Sequence, residues 1–183
     1  MSRTTWTLTI GAVVLAAAAF WVATDRGEGR LVLDLIDALP EAVRSPSPDA
    51  FSVVEATVQG ETRRAILVSE PSRLTWSIDV PDEAWLAVGF GLDEASWTVE
   101  GDGVLFQVGV SDGEAFDELF SLVANPFANP ADRAWHDVIV DLHAYAGRRV
   151  DLILNTRSGP PDPPADDRRG DAALWAAPRL LTR

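Results

Sequence analysis

Five tryptophans lie from Phe51 onward: Trp76, Trp85, Trp97, Trp135 and Trp175. They are the side chains best suited to meet a ligand. A sugar presents C–H groups that stack on an aromatic ring, and its hydroxyls need carboxylate, amide or guanidinium partners. An exposed tryptophan beside such groups suits carbohydrate. Trp76 alternates with Leu74 and Ile78 and reads as core. Trp135 and Trp175 begin or sit within strand patterns and read as core or rim packing. Trp85 and Trp97 are therefore the candidate ligand-binding residues. Trp85 shares a face with Ala87, Gly89 and Gly91, a smooth surface that admits a ligand or another backbone. The competing reading has a helix or loop covering that face.

The acidic residues offer less. Asp112-Gly113-Glu114 and the run Asp162, Asp166 and Asp167 could supply oxygens to calcium, which wants several carboxylates and carbonyls at one point. The spacing matches no calcium loop, so no cofactor is expected, and Asp112 and Glu114 stand as the weak metal candidates. The chain has no cysteine, which excludes disulfides, thiolate metal sites and cysteine nucleophiles. Its two histidines, His136 and His143, are too few for a multi-histidine zinc site. No Gly-x-Ser-x-Gly elbow occurs, and among 28 acidic residues carboxylate pairs arise by chance. Gly101-Asp102-Gly103 leads into a strand and not a helix, so it is no phosphate loop. No enzyme is expected. A formal net charge of -13 also argues against nucleic acid, which needs a basic face.

The elements that must position these groups follow from hydrophobic periodicity. Trp6 to Val22 is an uncharged apolar run with aromatic residues at both ends. Roughly 17 to 20 such residues span a bilayer core of about 30 Å. Residues 1–24 are expected to be a transmembrane anchor, with a cleaved signal sequence as the rival. Anchoring through residues 6–22 would put the remainder on the periplasmic or extracellular side. Residues 25–50 read as a linker with a short amphipathic helix over 31–44, bent at Pro40.

Residues 51–183 read as strand after strand. Val138, Val140 and Leu142 alternate in one strand, and Val150, Leu152 and Leu154 in the next, with a corner at Gly147. A tight turn is expected at Gly60-Glu61, and FDELFSLV within 114–124 fits strand or helix. About eight or nine short strands without alternating helices predict an all-β, antiparallel jelly-roll β-sandwich behind the transmembrane and amphipathic helices.

The tail resembles bacterial galactose-binding-like jelly-roll domains, including those related to carbohydrate-binding modules. The residues that carry the resemblance are Trp135, Asp141-Leu142, Tyr145-Ala146-Gly147, the Val150-Leu152-Leu154-Thr156 alternation, and Trp175 with Pro178. Gly101-Asp102-Gly103 followed by Val104-Leu105-Phe106 extends it upstream. These are packing and turn positions, so the resemblance implies a fold and no particular ligand. The expected function is a non-catalytic, membrane-anchored extracytoplasmic binding module for carbohydrate or cell-envelope glycan. The alternative is a structural or protein-interaction module of a membrane complex, with an envelope protein as partner.

Overall fold

The computed structural model describes residues 29–68, 71–160 and 167–183. The expected anchor at residues 6–22 lies outside the described residues. Among those described, no helix is long and apolar enough to cross a membrane.

Among the described residues, eleven strands form two antiparallel sheets. They are β1 (Arg30–Asp34), β2 (Val43–Ser45), β3 (Phe51–Val58), β4 (Glu61–Val68), β5 (Ser72–Asp79), β6 (Trp85–Leu92), β7 (Val104–Ser111), β8 (Phe116–Ala124), β9 (His136–Asp141), β10 (Arg149–Ser158) and β11 (Ala173–Thr182). The first sheet runs β3-β4-β11-β6-β9, with β1 also paired to β11, and the second runs β2-β5-β10-β7-β8. Alternation does what the sequence implies. In β5, Leu74, Trp76 and Ile78 are buried between the sheets while Arg73, Ser77 and Asp79 face water. The two strands around the Gly147 corner do not pair with each other. β9 is an edge of the first sheet and β10 the centre of the second, so the corner carries the chain from one layer to the other.

Two expectations are corrected and one open choice is decided. Residues 31–44 form no amphipathic helix. They hold β1, a single 3-10 turn at Leu39–Glu41, and β2. Asp34 Oδ1 accepts from the backbone N–H of Ile36 at 2.9 Å and of Asp37 at 3.3 Å, a local turn that competes with helix. Leu35, Ile36 and Leu39 still bury their side chains, which is why the spacing resembled a helical face. The β3–β4 turn is Gln59-Gly60 and not Gly60-Glu61. Both residues have positive φ, 50° and 80°, which suits the right-handed twist of a two-residue hairpin. The ambiguous run after Glu114 is strand β8.

β11 organises the first sheet. It pairs with β4 over Ala173–Ala176 and with β1 from Arg179 on. Between them Ala177 takes φ 42°, and Pro178 needs no ladder donor there. Its carbonyl accepts from Leu35 N at 3.0 Å. β4 is thus free to leave β11 and cross the outer face of its own sheet.

Candidate functional site

That crossing decides the fate of the smooth face. Gly89 lies beneath Arg63 and Asp137, since a Cβ there would fall 2.8 Å from Arg63 Nη1 and 3.1 Å from Asp137 Oδ1. Gly91 lies beneath the Trp135 ring, 3.3 Å from where a Cβ would stand. Arg63 from β4 grips Asp137 on β9 through its two terminal guanidinium nitrogens, Nη1 and Nη2, and stacks 5.3 Å over Trp135. Trp135 Nε1 donates to the Glu61 carbonyl at 3.0 Å. Beneath them a second apolar cluster of Ala56, Val58, Ala65, Leu174 and Ala176 is buried. The glycines admit another part of the same chain.

Trp85 and Trp97 lie near opposite ends of β6, roughly 20 Å or more apart along the strand, so the fold does not bring them together. Both are half-buried. Trp97 packs against the second apolar cluster and donates to the Leu92 carbonyl at 3.3 Å. Trp85 abuts Gly29, where a Cβ would fall 2.4 Å from its ring. Trp76 is core, with its Nε1 donating to the Ala38 carbonyl at 3.0 Å, and Trp175 is fully buried. Asp112 spends its oxygens locally. It accepts from the N–H of Glu114 and of Ala115, both at 3.1 Å, and pairs with Arg148 at 3.0 Å. Those backbone donors hold its carboxyl below the usual carboxylate range. Glu114 is exposed on the same turn.

The outer face of the second sheet differs. Cross-strand register lines up Arg73, Asn155, Gln107 and Ser121 in one row. Thr75, Ile153, Gly109 and Glu118 form the next, and Ser77, Asp151, Ser111 and Phe116 the third. Asn155 Nδ2 donates to Gln107 Oε1 at 2.8 Å, and Gln107 Nε2 donates to Glu118. Ser77 Oγ donates to Asp151. In this chain of bonds each group orients the next, fixing planar amides and carboxylates before a ligand arrives. Phe116 folds back over Gly109, where a Cβ would fall 2.4 Å from its ring, and stays 46% exposed. An aromatic ring with fixed polar groups around it can take the C–H face of a sugar and hydrogen-bond its hydroxyls.

Sequence reasoning missed this constellation. Phe116 lay in the segment that fitted either helix or strand. The partners of Gln107 come from β8 and β10, 11 and 48 residues away. One local signal existed: Gly109 leaves the outward-facing parity of β7 without a side chain, and a strand glycine marks close approach. Gly109→Ala is expected to lift the Phe116 ring and destabilise the fold by about 1 to 3 kcal/mol in urea melts.

No family model matches the chain. An uncharacterized protein of Archaeoglobus fulgidus is 38% identical over 132 residues, covering 71% of this chain and 30% of that one. The chain thus spans under a third of that relative's length. Among solved structures, TmCBM61 in complex with beta-1,4-galactotriose gives a TM-score of 0.53 at 16% identity, over 84% of this chain and 99% of that chain. The M60 catalytic domain with the CBM51-1 and CBM51-2 domains from Clostridium perfringens ZmpB gives 0.51 at 18% identity, over 77% and 13%. At such identities the likeness is one of fold. The chain shares with these carbohydrate-binding-module structures the antiparallel two-sheet β-sandwich.

Proposed function

We propose that this chain is a non-catalytic glycan-binding module with a jelly-roll sandwich. In this reading residues 6–22 hold it to the membrane, and the sandwich faces the periplasm or cell exterior. The observation that carries the reading is the Phe116 ring seated on Gly109 beside the bonded Asn155–Gln107–Glu118 chain. The fold shared with carbohydrate-binding modules supports it. The site is the outer face of the second sheet; Trp85 and Trp97, expected from sequence as ligand contacts, are read as packing groups.

The test is a glycan array with the full chain in mild detergent, including β-1,4-galactan oligomers. Phe116→Ala is expected to weaken binding by about fivefold or more, taking an aromatic stacking contact as worth about 1 to 3 kcal/mol, as it is for a base on a ring. Trp85→Ala and Trp97→Ala are expected to stay within threefold. Loss of binding in either tryptophan variant, with Phe116→Ala unaffected, would move the site to β6. A protease applied to intact cells reports the side on which the sandwich lies.

A second reading, a protein-interaction module, rests on a groove of about 730 Å³ beside β1 and β5. Leu31, Val32 and Val43 line it and are 53%, 40% and 70% exposed. Beyond its three pairs with β2, β5 pairs only with β10, so its edge from Trp76 to Asp79 is open among the described residues. An open edge accepts an added strand. Binding to no glycan by a well-folded chain would favour this reading.

A further inference from the structure

We infer that the sugar unit stacked on Phe116 is uncharged, and that this end of the face disfavours uronates and sulfated sugars. The inference rests on the glycan reading above and narrows its ligand class. Two carboxylates flank the ring. Glu118 follows Phe116 by two residues on the same face of β8, and Asp151 lies diagonal to Gly109 beneath the ring. Sheet spacing puts both within roughly 8 Å of the ring. Each has one oxygen bound to a neutral donor, Gln107 for Glu118 and Ser77 for Asp151, so neither charge is cancelled by that bond.

The nearby cations are committed elsewhere. Arg148 pairs with Asp112 at 3.0 Å, and Arg149 with Asp79 at 3.1 Å. The other two arginines of the face, Arg73 and Arg157, are remote. Counted from Gly109, under the ring, Arg73 lies two strands and two residues away and Arg157 one strand and four residues, so their backbones stand roughly 12 to 14 Å off. At ordinary salt this exceeds the Debye length of about 8 to 10 Å. The field at Phe116 is therefore set by Glu118 and Asp151 and is negative. The bonded network presents mainly acceptor oxygens there, which suit hydroxyl donors and repel an anion.

Two carboxylates at roughly 8 Å in water disfavour a uronate by about fivefold. The test is isothermal titration of the full chain with a neutral disaccharide and with its uronate counterpart. Disaccharides are used because a longer chain could reach Arg73. The neutral ligand is expected to bind about fivefold tighter at about 20 mM salt. The ratio is expected to fall within twofold at about 0.5 M salt, where screening shrinks the Debye length to about 4 Å. At low salt it should also fall within twofold in the double variant Glu118→Gln, Asp151→Asn. Equal or tighter uronate binding overturns the inference, as does a ratio that salt leaves unchanged, because shape and not charge would then set it. A chain that binds neither ligand overturns the glycan reading itself, and this inference with it.

Discussion

Trp175→Ala is expected to destabilise the sandwich by about 3 to 5 kcal/mol, the range for removing a fully buried large aromatic. Trp175 is 0% exposed and sits on β11, hydrogen-bonded between β4 and β6. Its ring meets Phe106 of the opposite sheet edge-on, with centroids 5.0 Å apart at 86°. Phe90 lies 6.2 Å away, and Phe90 and Phe106 touch at 4.8 Å. Truncation leaves a cavity between the two sheets that neither layer can close without shifting its own ladder. A domain of this size has about 5 to 15 kcal/mol in total, so the loss is a large part of it. A thermal melt should fall by about 10 °C or more. Trp175→Phe is expected to cost less than half as much. It keeps a ring against Phe106 and removes a buried Nε1–H that has no acceptor among the described residues. Val43→Ala, at a 70% exposed site, should change stability by about 0.5 kcal/mol or less. A Trp175→Ala protein within about 1 kcal/mol of wild type would mean that the inter-sheet aromatic contact does not hold the layers together.

Burial of this kind was legible in the sequence wherever alternation is local: Leu74, Trp76 and Ile78 announce theirs without reference to any partner. Pairing was not. β1 forms because β11 lies beside it, with Arg30 opposite Thr182, and nothing within residues 30–45 records that. Leu35, Ile36 and Leu39 then look helical, since a tight turn and a helix both bring such residues to one side. The candidate site failed for a related reason. Tryptophans drew attention on β6, where Gly89 and Gly91 announced a close neighbour but not its identity. That neighbour proved to be Arg63 and Trp135 of the same chain. The open face was assembled from Gln107, Glu118, Asp151 and Asn155, ordinary polar residues on three strands. Only the register shows that they adjoin Phe116.

Asp171→Asn is expected to raise stability at pH 7.5 by up to about 3 kcal/mol and to leave it nearly unchanged at pH 4. Asp171 is 7% exposed, just before β11. Ser158 Oγ donates to its Oδ2 at 2.7 Å, but its Oδ1 is buried with no partner among the described residues. Nearby, Asp102 Oδ1 is also buried and has no partner among the described residues. Burial pushes the Asp171 carboxyl up to about 6; the Ser158 bond opposes this, and the charge of Asp102 adds to it. In the unfolded chain an aspartate titrates near 3.9. The folded state therefore holds a proton that the unfolded chain has lost. The stability from that proton is fully present below about pH 4. It is lost as pH rises from about 4 through 6, and beyond that the ionised carboxylate must be held in a buried site. The gap between the folded and unfolded titration points corresponds to about 3 kcal/mol. Asparagine is neutral throughout and can still accept from Ser158, so it removes the slope without emptying the site. Because the carboxylates remote from Asp171 titrate equally in both proteins, the difference between their urea-derived stabilities, taken at close intervals from pH 4 to 8, reports this group and its coupling to its immediate acidic neighbours. A difference that grows between pH 4 and 6.5 and then levels is the expected curve. A constant difference would mean that Asp171 is ionised throughout, with its free oxygen served by a donor such as an ordered water.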